Sequence, residues 1–151
     1  KIADPGLDYL LRAEIARGGY INQPEEAMYP ASITDQNGDY LQGDRVYQMR
    51  FAKGELPPVD AFWSITAYDA KTSQLTKNSL GRYSIGDRTP GLLYEDDGSL
   101  VLTLSAGVPA QGVSNWLPIP ESYFHVVTRL YLPKPEALTG KYTLPVITRL
   151  Q

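Results

Sequence analysis

The sequence predicts a mainly β protein: an antiparallel β-sandwich with jelly-roll-like connections and one N-terminal α-helix. Three observations lead to this prediction. Apolar and polar residues alternate in several short segments, 13 glycines and 12 prolines punctuate the chain, and extended helical spacing occurs only near the N-terminus. Many short strands joined by tight turns are typical of two packed antiparallel sheets.

The first 29 residues contain the predicted helix. Asp4 and Pro5 are typical of a helix start, and apolar residues then recur at helical spacing: Leu7, Leu10, Leu11 and Ile15. Because the sequence begins at Lys1 rather than methionine, we expect further sequence upstream. We therefore assign residues 1–29 to a helix and linker from a missing upstream domain, and residues 30–151 to the β-sandwich.

One strand candidate, residues 122–132, is bounded by prolines on both sides. Prolines cannot donate to a sheet ladder, so they mark where the strand begins and ends. Residues two apart share a face of a strand. One predicted face is therefore apolar, with Phe124, Val126, Leu130 and Leu132, and the other carries Tyr123, His125, Arg129 and Tyr131.

Further segments have strand character at residues 47–51, 61–68, 83–85, 92–94 and 100–105. Residues 61–68 are apolar on both sides, which is typical of a central strand. Asp97 and Gly98 favour a hairpin turn that joins residues 92–94 to residues 100–105. One helical turn is predicted from Pro135 to Leu138.

Composition excludes several classes of function. The net charge is −3, and the 14 basic residues form no run, which disfavours nucleic-acid and anionic-membrane binding. No apolar stretch approaches the ~20 residues that span a bilayer. Without cysteine, disulfides, thiolate metal sites and a cysteine nucleophile are excluded. We expect no cofactor and no metal.

His125 is the only histidine, so any imidazole chemistry must use it. It shares a predicted strand face with Arg129 and Tyr131. If this face lines a cavity, His125 would act as a general acid or base while Arg129 and Tyr131 stabilise developing negative charge. In the structural alternative, the arginine pairs with a carboxylate and the tyrosines pack against neighbouring strands.

Ligand-binding candidates lie mostly on irregular segments: Trp116, Asn115, Tyr123 and Arg82. The Trp116 indole would stack against a sugar or aromatic ring, or it would anchor the core, as we expect of Trp63. Asn115 would orient a ligand or tie its own turn. Arg82 and Arg129 would converge on an anion, or each would pair with a nearby carboxylate.

The segment at residues 35–39 (DQNGD) superficially suggests a calcium loop, because oxygen-bearing side chains alternate in it. The glycine comes too early, however, and no glutamate follows at the required spacing. A β-turn through Asn37 and Gly38 explains the same residues without an ion.

Five segments, in order along the chain, closely resemble the domain of unknown function 1214: residues 57–69 (PPVDAFWSITAYD), 82–83 (RY), 97–100 (DGSL), 115–118 (NWLP) and 129–131 (RLY). The resemblance extends from about Tyr20 to the end of the chain. It implies a β-sandwich, a partner called domain of unknown function 1254 on its N-terminal side, and often an exported or periplasmic bacterial protein. It implies no reaction.

These observations favour an accessory or ligand-binding β-sandwich domain of an exported bacterial protein, which packs against an N-terminal partner domain of the same protein. One alternative is a hydrolase or lyase that acts on a small anionic substrate through His125. Another is a structural module in which exposed strand edges form homo-oligomers. Partners are thus the N-terminal domain, a small molecule or a second copy of the chain.

Overall fold

The computed structural model describes residues 22–150. The predicted N-terminal helix therefore lies outside the described residues. Within this range the elements are β1 (Ala27–Met28), β2 (Ala31–Ser32), β3 (Tyr47–Phe51), β4 (Val59–Asp69), β5 (Ile85–Gly86), β6 (Leu100–Ser105), β7 (Trp116–Pro118), β8 (Phe124–Pro133), α1 (Pro135–Leu138) and β9 (Thr148–Arg149).

The strands form two sheets. The five-stranded sheet has the order β1, β8, β4, β5, and β2 also pairs with β8. The four-stranded sheet has the order β7, β6, β3, β9. All pairs are antiparallel except β6 with β7, which are parallel. The mainly β prediction with two sheets is confirmed, whereas the jelly-roll connections stay a prediction. Because β1 already belongs to a sheet, the β structure begins before residue 30.

The core lies between the two sheets and follows the predicted two-residue alternation. From β8 it receives Phe124, Val126 and Leu130, and these side chains are buried. From β3 it receives Tyr47, Met49 and Phe51, which are also buried. Burial of these apolar side chains is the main term that holds the sheets together.

The prediction that Leu132 faces the core is wrong. Its side chain is 51% exposed, and its backbone has a φ of 51°. The register between β4 and β8 also shifts between Val59 and Phe62, which are the β4 residues paired with this end of β8. A bulge of this kind breaks the alternation of faces. Pro133, the residue that follows Leu132, is consequently buried in its place.

Strand β4 is central, as predicted, because it pairs with β8 on one side and β5 on the other. Its residues Trp63 and Ile65 are buried against the core, while Phe62 and Tyr68 are half-buried on the opposite face. Strand β5 lies very close to β4 at Gly86, where a Cβ atom would be 2.2 Å from the Trp63 carbonyl oxygen. Only glycine fits this approach.

The predicted hairpin is only partly present. The turn forms, since the Gly98 amide donates to the Glu95 carbonyl at 2.7 Å and Gly98 has a φ of 79°. Residues 92–94, however, are not a strand, and β6 pairs with β3 and β7 instead. The Asn115 amide group bonds both the backbone N–H and the carbonyl of Leu93 and thus replaces a strand partner. The helical turn at α1 is confirmed.

Candidate functional site

The side of the five-stranded sheet that faces away from the core is called the outer face. It carries Phe62, Ser64, Thr66 and Tyr68 from β4 and His125, Val127, Arg129 and Tyr131 from β8. The register pairs Tyr68 with His125, Ser64 with Arg129, and Phe62 with Tyr131. The prediction that His125, Arg129 and Tyr131 share one strand face is therefore confirmed.

His125 lies at one end of the outer face, beside a cavity of about 380 Å³. Its half-buried ring stacks on Tyr68, with centroids 5.5 Å apart and an interplanar angle of 18°. Tyr40 and Tyr123 border the same cavity and are 67% and 55% exposed. The remaining lining is apolar: Ile33, Leu41, Ala70 and Phe124. We call this the tyrosine cavity.

Backbone bonds between three segments hold the wall of the tyrosine cavity. The Ala70 amide donates to the Tyr123 carbonyl at 2.9 Å, and the Phe124 amide donates to the Leu41 carbonyl at 3.1 Å. These bonds connect the end of β4, the start of β8 and the segment before β3. The cavity is therefore formed by backbone that is already paired and does not require closure of a loop.

Asp69 reinforces the same wall. Its carboxylate accepts a short hydrogen bond from the Ser122 hydroxyl, next to Tyr123. Hydrogen bonds from Ser122, and then from the Thr72 amide and hydroxyl, lower the pKa of Asp69 to about 2. These donors stabilise the charged carboxylate, which remains ionised well into the acid range.

Arg129 does not pair with a carboxylate within residues 22–150. Its Nη1 donates to the Thr66 hydroxyl at 2.8 Å, its Nη2 donates to the Tyr68 hydroxyl, and its guanidinium lies 5.6 Å from the Tyr68 ring centroid. Tyr68 thus contacts both Arg129 and His125. Sequence reasoning missed Tyr68 as the connecting residue, although its position two residues after Thr66 on a central strand was a usable signal.

Tyr131 lies at the opposite end of the outer face from His125. It stacks on Phe62 with centroids 4.3 Å apart, and it contacts Tyr29 edge-on at 6.2 Å. Burial, and then the Tyr131 phenol, raise the pKa of Tyr29. Tyr131 lies six positions further along the strand than His125, which corresponds to about 20 Å. These two side chains cannot act on the same bond of a small substrate.

Three of the predicted ligand-binding residues form hydrogen bonds with the backbone of the protein itself. Trp116 is 2% exposed, and its Nε1 donates to the Ser105 carbonyl at 3.0 Å. This burial leaves no free indole face, although the side chain lies outside the core cluster between the two sheets. The Asn115 amide bonds the backbone of Leu93 and donates to the Val101 carbonyl. Both residues tie the segment before β7 to the sheet.

Arg82 anchors the same segment, because its Nη1 contacts the carbonyl oxygens of residues 113, 114 and 116 at 2.5, 3.0 and 2.9 Å. Arg129 makes its contacts on β4, so the two arginines do not share a ligand in this arrangement. Of the four ligand-binding candidates, Tyr123 alone borders the tyrosine cavity.

The segment at residues 35–39 forms the predicted turn. The Gly38 amide donates to the Asp35 carbonyl at 3.0 Å, and one oxygen of the Asp35 carboxylate accepts from the amides of Asn37 and Asp39. Within residues 22–150, no group of three or more His, Asp or Glu side chains is placed to hold a metal ion. In the same range, no helix is long and apolar enough to cross a membrane.

The fold and its cavities define a β domain of two packed sheets. The chain belongs to the family described as "Protein of unknown function (DUF1214)", whose model matches residues 26–135. The chain is also similar to the crystal structure of the VPA0106 protein from Vibrio parahaemolyticus, with 33% identity and a TM-score of 0.78. That match covers 93% of this chain and 35% of the Vibrio chain.

A second solved structure, of an uncharacterised protein from Burkholderia cenocepacia, matches with 16% identity and a TM-score of 0.48. It covers 97% of this chain and 44% of the Burkholderia chain. A comparison with curated proteins finds no match.

Proposed function

We propose that this chain is an accessory, ligand-binding domain of a longer, exported bacterial protein, and that the tyrosine cavity binds a small aromatic ring compound. The observation that carries this proposal is the composition of the cavity. Four apolar residues line it, while His125, Tyr40 and Tyr123 supply polar groups at its border. Apolar walls with a few convergent polar groups are typical of small-molecule sites.

The chemistry of the lining favours a ring compound over a sugar. A volume of about 380 Å³ is at the lower end of the range for ligand pockets. The walls offer dispersion contacts to a flat apolar ring, and the imidazole and phenols offer hydrogen bonds to one hydroxyl or similar substituent. A sugar would leave most of its hydroxyls without partners against Ile33 and Ala70, the exposed apolar residues of the lining.

Packing against another part of a longer protein is supported by the comparison with the Vibrio structure. This chain spans about a third of that protein, which also contains a large additional portion. The outer face is half-buried and carries aromatic and cationic side chains, which are common at interfaces between proteins. We propose the N-terminal partner domain as the neighbour.

The enzyme alternative has less support. Within residues 22–150, His125 makes no side-chain hydrogen bond that would fix its tautomer, and Tyr131 lies about 20 Å away along the strand. The oligomer alternative has no observation in its favour. We therefore retain the binding function alone.

The experiment uses His125 as a reporter, because a chain with one histidine gives one set of imidazole signals in proton NMR. Phenol, indole and glucose are titrated into the chain without a histidine tag. We expect phenol and indole to shift the His125 signals at millimolar concentrations, and glucose to leave them unchanged.

The variant Tyr123→Ala should weaken the binding of phenol severalfold, because it removes one border of the cavity. Tyr94→Ala is the matched control, since Tyr94 is similarly exposed but does not line the cavity. Absence of any shift with phenol and indole, or equal weakening by both variants, would contradict the proposal.

A further inference from the structure

We propose a second binding site on the same sheet, in which Arg82 and Arg88 bind the carboxylate of a small organic acid. Both arginines line a cavity of about 450 Å³ at the edge between β4 and β5. The other lining residues are Phe62, Trp63, Ser64, Ser84, Gly86, Thr89 and Pro90. We call this the arginine cavity. It shares no lining residue with the tyrosine cavity.

The turn that carries Arg88 is held by three hydrogen bonds. The Thr89 amide donates to the Gly86 carbonyl at 2.9 Å, and the Gly86 amide donates to the Thr89 hydroxyl oxygen at 2.9 Å. The Trp63 amide donates to the Asp87 carboxylate at 3.2 Å. Residues 86–89 are thereby fixed to β4, and the close contact at Gly86 leaves little room for the turn to shift.

Arg88 lies over the ring of Phe62, with its central carbon 3.9 Å from the ring centroid. This cation–π contact holds the plane of the guanidinium but uses none of its N–H groups. The donors at the guanidinium edge thus remain available to a ligand. The exposed neighbour Asp87 offsets part of the positive charge, although its carboxylate is engaged with the Trp63 amide.

Arg82 is anchored in a different way. Its Nη1 contacts three backbone carbonyls, and among the described residues its Nε and Nη2 make no hydrogen bond. Carbonyl oxygens hold a guanidinium in place without neutralising it, because they carry no net charge. No carboxylate within residues 22–150 forms an ion pair with Arg82 or Arg88. The cavity therefore contains two positioned cations and no paired anion.

A carboxylate fits this arrangement better than a neutral ligand. Guanidinium groups bind carboxylates through parallel N–H donors, and such charge-assisted bonds are stronger than neutral ones. The hydroxyls of Ser64, Ser84 and Thr89 supply further donors, while Phe62 and Pro90 provide apolar contact for the rest of the acid. The volume accommodates a small acid rather than an isolated ion.

The test uses benzoate, succinate and inorganic phosphate as probes, observed through the backbone amide NMR signals of the complete chain. We expect either carboxylate to shift the signals of Ser84, Gly86 and Thr89 with a dissociation constant of about 1 mM. Arg88→Met should weaken this binding about tenfold, as expected for loss of one charged hydrogen-bonding group. Arg88 is exposed, so the variant should fold normally.

Arg50→Met is the matched control, because it removes an exposed arginine from the four-stranded sheet and should leave binding unchanged. Three results would overturn the proposal: no shift with either carboxylate, equal affinity in wild type and Arg88→Met, or tighter binding of phosphate than of both carboxylates. The His125 signals should not respond to succinate. Failure at the arginine cavity is therefore distinguishable from failure of the proposed binding at the tyrosine cavity.

Discussion

The arginines of the two sheets are held by different kinds of partner. On the four-stranded sheet, Arg50 of β3 pairs with Asp97, and Arg149 of β9 lies 3.3 Å from Asp39. On the five-stranded sheet, Arg129 of β8 contacts two hydroxyls; in the segments on either side of β5, Arg88 contacts the Phe62 ring and Arg82 contacts backbone carbonyls. Within residues 22–150 none of these last three forms an ion pair.

This difference separates arginines that are neutralised by a carboxylate from arginines that are held in place by neutral groups and keep their charge. A carboxylate partner cancels most of the field of the guanidinium, so the pair offers little to a further anion. Hydroxyls, rings and carbonyls fix the position of a guanidinium but leave its charge in place. Arg129 on the outer face, and Arg82 and Arg88 at the edge between β4 and β5, therefore keep a charge that is available to an anionic group, whether from a small molecule or from a neighbouring domain.

The largest expected effect comes from Trp116, the buried aromatic residue of β7. Trp116→Ala should lower the free energy of unfolding by about 3–5 kcal/mol, because it leaves a cavity and removes one of the two donors to the Ser105 carbonyl, the other being the Ile119 amide. Tyr123→Ala, at the border of the tyrosine cavity, should change it by no more than about 0.5 kcal/mol. Urea unfolding measures both values, and a small loss for Trp116→Ala would contradict its role as a buried anchor of β7.

The next largest effect on stability distinguishes the two arginines of the arginine cavity. Arg82→Ala should cost about 1.5–3 kcal/mol of stability, since several carbonyls lose a charged donor. Arg88→Ala should cost only about 0.5 kcal/mol, because Arg88 contacts a ring at the surface. Thermal or urea unfolding gives the comparison. Equal losses would show that Arg82 does not anchor the segment before β7.

Two-residue alternation predicted much of this architecture. The faces of β8, the central position of β4, the turn at Gly98 and the helical turn α1 all follow from residue types that act over a few neighbours. Burial of Trp116 was one of two alternatives at the sequence level. Its surroundings depend on Ser105 and β6, which are distant in the sequence, so local reasoning could not choose between the alternatives.

The departures have similar physical causes. The exposure of Leu132 depends on a bulge opposite β4, and the missing strand at residues 92–94 depends on the Asn115 side chain from 22 positions further along the chain. The arginine cavity was not foreseen because Arg88 reaches Phe62 only after β5 pairs with β4. Sequence patterns identify which faces are apolar, but side chains from distant segments determine the cavities.

Salt dependence should distinguish the two kinds of arginine contact. Arg129→Gln should cost about 1 kcal/mol, and this loss should be almost independent of sodium chloride because its partners are neutral hydroxyls. The effect of Arg50→Gln, which breaks an exposed ion pair, should decrease as the salt concentration rises to about 1 M. Urea unfolding at low and high salt measures both. A strong salt dependence for Arg129→Gln would indicate an ionic partner.

The smallest effect at neutral pH concerns Asp69, whose carboxylate, like the guanidinium of Arg129, forms hydrogen bonds with neutral groups. Hydroxyl and amide donors lower the pKa of Asp69 from 3.8 to about 2. Because this pKa is lower in the folded state, Asp69 contributes stability above about pH 4, and that contribution is lost as the pH falls towards 2.

The variant Ser122→Ala removes the largest cause of this shift, so the pKa of Asp69 should rise towards 3.8 and the loss of stability should begin at higher pH. Carbon NMR of the side-chain carboxyl groups measures the pKa directly. Asp97 is the internal control, because its lowered pKa arises mainly from hydrogen bonds with Ser99 and should not respond to the variant. An unchanged pKa of Asp69 would mean that the Thr72 and Lys71 donors alone hold the carboxylate. In that case the Ser122 bond would not be what fixes the wall of the tyrosine cavity.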